Sequence, residues 1–247
     1  MTLYDVVEFL STFGIPLAGL VAFVLGLLTA FGAKKPIRIL GLWCALTGLQ
    51  VPLNRLTMLL YYLQQNDLID EDLYVSLMTG APQLIRSFTA YAASLAAIIL
   101  LWLYLKKSYG AGPAPLIVGL AVSLGIPFIS FFIKRFIDIG YDYDSSLKIL
   151  LLINNAMALL ALTVQVVFLV ILIQHKNEEK NVPWFWVCYL AGIVISLLGM
   201  AISLAHVRFI YSDSYDVFTM AASFIFAFYN PIVGVYLFKS SRSVSAE

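Results

Sequence analysis

Six large polar side chains interrupt otherwise apolar stretches of this 247-residue chain: Gln50, Asn54, Arg55, Gln83, Arg86 and Asn154. Ser203, His206 and Asn230 lie in similar surroundings nearer the C-terminus. The residue types suit recognition more than bond-making. A guanidinium presents a planar fork of donors that matches a carboxylate or phosphate. Carboxamides supply a donor and an acceptor each, and a hydroxyl or imidazole adds to such a lining. The nine together suggest a site for a small polar or anionic ligand.

Catalytic constellations are missing. The sequence holds no GxSxG, no HExxH and no pair of carboxylates within an apolar stretch. Every Asp and Glu falls at or beyond the end of one, which argues against proton-coupled chemistry through a buried acid. No enzymatic activity, metal or cofactor is expected. Cys44 and Cys188 sit in apolar runs without metal-ligand spacing and read as buried small hydrophobes. His175 and His206 belong to opposite ends of their stretches, so a bis-histidine haem between spans is excluded.

The elements that carry these residues follow from composition. Hydrophobic residues make up 62% and charged residues 12%, against roughly 45–50% and about 25% in ordinary soluble domains. Too little polar surface exists to coat a water-soluble body, so the bilayer is the expected partner. A net charge of +1 offers nothing to nucleic acid.

Seven stretches meet the length of about 20 apolar residues that a membrane helix needs: 13–32, 37–63, 76–105, 114–136, 147–173, 183–210 and 215–238. The expected fold is an all-α membrane protein, a single seven-transmembrane-helix bundle. Lys34, Lys35, Arg38, Lys106, Lys107, Lys176, Lys180, Lys239 and Arg242 all fall on one side of that arrangement. Eleven of the fourteen acids fall on the other, among them the DLIDED and DIGYDYD segments. The positive-inside tendency then places the N-terminus out and the C-terminus in. The N-terminal MTLYDVVEFLSTFG is acidic rather than basic and does not read as a cleavable signal peptide. An integral multi-pass protein of the cell or plasma membrane is expected.

Helical spacing arranges the polar residues into stripes. Thr47, Gln50, Asn54, Thr57 and Tyr61 share a face, as do Thr79, Gln83, Arg86 and Ser94. Ser123, Pro127, Ser130 and Lys134 form another. Asn154 with Gln165, Ser196 with Ser203 and His206, and Thr219 with Asn230 continue the pattern. The first stretch has only a small-residue version, Gly19, Ala22, Gly26 and Thr29. Small and hydroxylated positions serve helix packing. The larger groups need partners or water, and they are concentrated in the outer half, where they read as the lining of an outward vestibule. Arg86 lies on the order of 10 Å outward of its span's midpoint. Arg55 sits about 100° off its stripe; it either pairs with an outer-loop acid such as Asp67 or Asp72, or contacts ligand.

Residues 46–62 and 195–211 align at an offset of 149, and both follow a basic entry and lead into an acidic segment. This suggests a parallel 3+1+3 repeat of a kind found in transporters. Trp186-Val187-Cys188-Tyr189 and Arg86 resemble features of microbial opsins, but the last stretch has no lysine before Lys239, so no retinal Schiff base can form there. The resulting expectation is a receptor or sensor that takes its ligand in the outer vestibule and signals to a cytoplasmic partner protein. A small-solute transporter and a non-catalytic subunit of a membrane complex are the alternatives.

Overall fold

The computed structural model describes residues 2–34, 36–137, 143–179, 182–206 and 213–245; the side chains of 127, 130–147, 150, 206, 213, 244 and 245 fall outside that description. The regular structure of the described residues is all helix, with no strand among them. In order they are α1 (Leu3–Phe9), a π-helical stretch (Leu10–Gly14), α2 (Ile15–Gly32), α3 (Ile37–Gln65), α4 (Glu71–Met78), α5 (Gly80–Tyr109), α6 (Ala114–Ile137), α7 (Tyr143–Gln174), α8 (Phe185–His206), α9 (Asp213–Ala227) and α10 (Tyr229–Ser245).

Local chemistry sets the boundaries. At the N-terminus Thr2 and Asp5 cap reciprocally, with Asp5 N–H donating to Thr2 Oγ1 at 3.2 Å and Thr2 N–H donating to Asp5 Oδ2 at 2.6 Å. The helix so started runs through the π-helical stretch into α2, about ten residues earlier than the expected 13–32 stretch. Asp70 caps α4 by accepting from Leu73 N–H at 2.6 Å. Gly80 (φ 62°) then breaks the chain between α4 and α5, dividing what apolarity alone joins into one 76–105 stretch. The 215–238 stretch is likewise divided. Pro231 has no N–H to offer the carbonyl of Ala227, and the helix is interrupted at Phe228.

Among the described residues five helices are long and apolar enough to cross a membrane: Leu3–Gly32, Gly80–Tyr109, Leu151–Gln174, Phe185–Ala205 and Ser214–Ser243. The chain therefore has the character of a multi-pass membrane protein. α3 is not among the five although it spans 29 residues. Gln50, Asn54 and Arg55 lower the apolarity of its middle. The described apolar part of α6, Ala114–Ile126, is shorter than a span.

The chain divides into two compact units, residues 1–104 with 220–247, and residues 105–219. Within the first, α2 packs on α3, and α10 packs on both. The contact between α2 and α3 is made by glycines. A Cβ built on Gly26 would stand 2.7 Å from Gly41 O, and one on Gly48 would stand 2.8 Å from Gly19 O. Each helix carries its glycines seven residues apart, so the two pairs meet in antiparallel register. Lipid gives no hydrophobic drive for helix association, so backbone approach of this kind supplies the van der Waals contact instead. Pro52 gives Gly48 O no intrahelical donor, and that carbonyl is the one Gly19 approaches. Ala22, Leu40, Cys44, Ala45, Val233 and Leu237 complete this buried core.

In the second unit α7 packs on both α6 and α8. Leu162, Phe168, Leu169 and Leu172 of α7 are buried, as are Phe185, Tyr189 and Ile193 of α8.

Candidate functional site

Within the first unit the polar stripes of α3 and α5 meet at one point. Arg86 of α5 donates through Nη1 to Thr57 Oγ1 of α3 at 2.6 Å, and the same nitrogen lies 3.8 Å from Met78 Sδ of α4. Both residues are half-buried. All the partners are neutral, and no carboxylate lies within ion-pair reach of Arg86 among the described residues. A cation held only by a hydroxyl and a thioether keeps its full charge and most of its donors for something else.

The neighbouring stripe members are placed less uniformly. Gln50 and Thr47 are half-buried, with Thr47 Oγ1 donating to Cys44 O at 3.0 Å. Asn54 and Gln83 are exposed on the surface of their unit, one turn from Thr57 and Arg86 respectively. The inward face of α3 is the small-residue face of Gly41, Cys44, Ala45 and Gly48, not the Gln50–Asn54 stripe.

Arg55 is half-buried, and its Nη1 lies 2.9 Å from Met58 Sδ, three residues along the same helix. Its partner is thus local, not Asp67 or Asp72. Asn230 is half-buried beside the Phe228 interruption.

In the second unit Asn154 is exposed, while Asn155, its neighbour, is only 6% exposed. Asn155 Nδ2 donates to Ser203 Oγ of α8 at 2.9 Å and to Leu151 O at 2.8 Å. The stripe reading chose the first of two adjacent asparagines. The packed face of α7 runs through 155, 162 and 169, spaced by seven, and that spacing was the available signal. Ser203 is therefore brought into a contact, though with the asparagine one position on. The side chains of His206, Ser130 and Lys134 lie outside the described residues, so their expected places in the vestibule do too.

No group of three or more His, Cys, Asp or Glu side chains gathers among the described residues in a way that could hold a metal ion. The Arg86–Thr57 junction is a charge-and-hydroxyl arrangement of a kind that can hold an anion.

No family model, curated protein or solved structure matches this chain. The functional reading therefore rests on the junction itself and on the membrane character of the helices.

Proposed function

We propose that this chain is a seven-helix membrane receptor or sensor for a small anionic ligand, with Arg86 as the ligand's principal contact. α3 and α6 cross the bilayer beside the five more apolar helices, giving N-terminus out and C-terminus in. The observation that carries the reading is the half-buried Arg86, held by Thr57 at 2.6 Å and matched by no carboxylate among the described residues. An ionised group away from bulk water is costly until an opposite charge meets it. A carboxylate or phosphate would meet it with two parallel hydrogen bonds. Asn54 and Gln83, one turn away on each helix, add carboxamides that favour a polar ligand. Ligand pulling on Arg86 changes its bond to Thr57, and hence the relation of α5 to α3. α5 ends in the basic turn of Lys106 and Lys107, which a cytoplasmic partner protein would read.

The experiment is thermal unfolding of the purified chain in nanodiscs against a panel of carboxylates and phosphates. The proposal expects at least one to raise the melting temperature of the native chain and not of Arg86→Ala. Equal shifts in both would remove Arg86 from the site, and no shift for any anion would end the reading.

The second reading, a carrier for the same class of solute, would use the same Arg86–Thr57 contact. Anion uptake into liposomes that Arg86→Ala abolishes would select the carrier over the receptor.

A further inference from the structure

Positive charge is scarce around Arg86. Between residues 39 and 105 the only basic residues are Arg55 and Arg86. Arg55 lies two positions before Thr57, about 160° around α3 from it. Its Nη1 lies 2.9 Å from Met58 Sδ. It therefore stands on the opposite side of α3 from the Thr57 hydroxyl that Arg86 meets. The remaining charges of this stretch are negative. Asp67 and Asp70 precede α4, and Glu71 and Asp72 are exposed in its first turn, about 10 Å along the helix from Met78.

The guanidinium is engaged at one nitrogen. Nη1 donates to Thr57 Oγ1 at 2.6 Å and lies 3.8 Å from Met78 Sδ. Nε and Nη2 have no hydrogen-bond partner among the described residues. That edge of the fork presents two parallel N–H groups, the pattern that one carboxylate takes. The thioether beside it belongs to the half-buried face of α4, formed by Tyr74, Leu77 and Met78, and α4 packs on α3. Among the described residues α5 does not pack closely on α3, and the Arg86 side chain spans the space between them. A ligand on the free edge thus meets one positive charge and has a thioether for a neighbour.

We infer that the anion held at Arg86 is a monocarboxylate carrying an apolar group, with its carboxylate on the Nε–Nη2 edge and its apolar group against Met78. The inference rests on the receptor reading and narrows its ligand. One guanidinium matches one negative charge. A phosphate group brings about −1.5 to −2 at neutral pH, and a dicarboxylate brings two charges. The excess would stand half-buried with no second cation to meet it, on the side of the acidic first turn of α4. An apolar group leaves water when it lies against Met78, and a thioether adapts to chains of differing shape.

The test is thermal unfolding of the full chain in phosphatidylcholine nanodiscs, titrated with acetate, hexanoate, succinate and inorganic phosphate, with hexanol as the neutral chain. A ligand of the folded state raises the melting temperature. Hexanoate should do so at the lowest concentration, each methylene seated against Met78 lowering the midpoint about fourfold from that of acetate. Succinate and phosphate should need higher concentrations than hexanoate, and hexanol should give no comparable shift. Met78→Ala should narrow the difference between hexanoate and acetate, and Met78→Leu, which keeps an apolar chain, should retain it. Equal midpoints for hexanoate and acetate, tighter binding of succinate or phosphate, an equal shift by hexanol, or a chain-length difference untouched by Met78→Ala would each overturn the inference. The titration of the native chain decides the matter even if a Met78 variant does not fold. Phosphate or succinate shifts that Arg86→Ala removes would sink the monocarboxylate and leave the anion receptor standing. No shift for any anion would sink both.

Discussion

Arg86 Nη1 and Thr57 Oγ1 stand 2.6 Å apart although 29 residues separate them in the chain. The bond joins α5 to α3 through one hydroxyl. Thr57→Val keeps the shape and removes the acceptor. Leaving a half-buried guanidinium without its acceptor should cost about 1 kcal/mol. Reversible unfolding in mixed micelles measures this. A Thr57→Val protein as stable as the native one would show the bond to be incidental.

The glycine contact between α2 and α3 gives a prediction with two signs. Gly26→Ala places a Cβ against Gly41 O and the Ala45 backbone, which helix atoms cannot vacate as a flexible side chain would. It should destabilise by roughly 1–3 kcal/mol. Gly199, inside α8, has open space where a Cβ would stand. Gly199→Ala should be neutral or stabilise by about 0.5–1 kcal/mol, since alanine is the better helix former. If both substitutions shift unfolding the same way, the close packing of α2 on α3 is wrong.

The adjacent asparagines of α7 separate burial from composition. Asn155→Ala removes the donor to Ser203 Oγ and should cost around 0.6 kcal/mol, up to about 1.7, the range seen for interhelical bonds in membranes. Asn154→Ala, at an exposed position, should change stability far less. A larger effect at Asn154 would mean that α7 is rotated from the position described.

Asp67 ends α3 with φ 56°, while Leu68 N–H bonds to Leu63 O at 2.9 Å and Asp67 N–H to Gln64 O at 3.1 Å. This is the position of a helix-ending motif that glycine normally fills. Asp67→Gly should raise stability by up to about 1 kcal/mol, and Asp67→Val should lower it, because a β-branched residue strains in that conformation. Circular dichroism of the two variants through thermal unfolding provides the comparison. Stabilisation by valine would contradict the assigned backbone.

The apolar composition chose the solvent, and the lengths of the apolar runs chose the secondary structure, because a backbone in lipid must satisfy its hydrogen bonds within itself. Those two facts were legible in the residues alone, as were the places of the basic turns at Lys106, Lys107 and Lys176. Helix faces were not. Successive residues differ by about 100° around a helix, so a pattern read one position off exchanges a buried side chain for an exposed one, as Asn154 and Asn155 do. The sequence likewise shows glycines on α2 and α3 without showing that they meet, and it offers no sign that Arg86 finds Thr57. Such pairings depend on how far two helices approach and in what register. The tertiary structure decides that through the atoms of both partners at once.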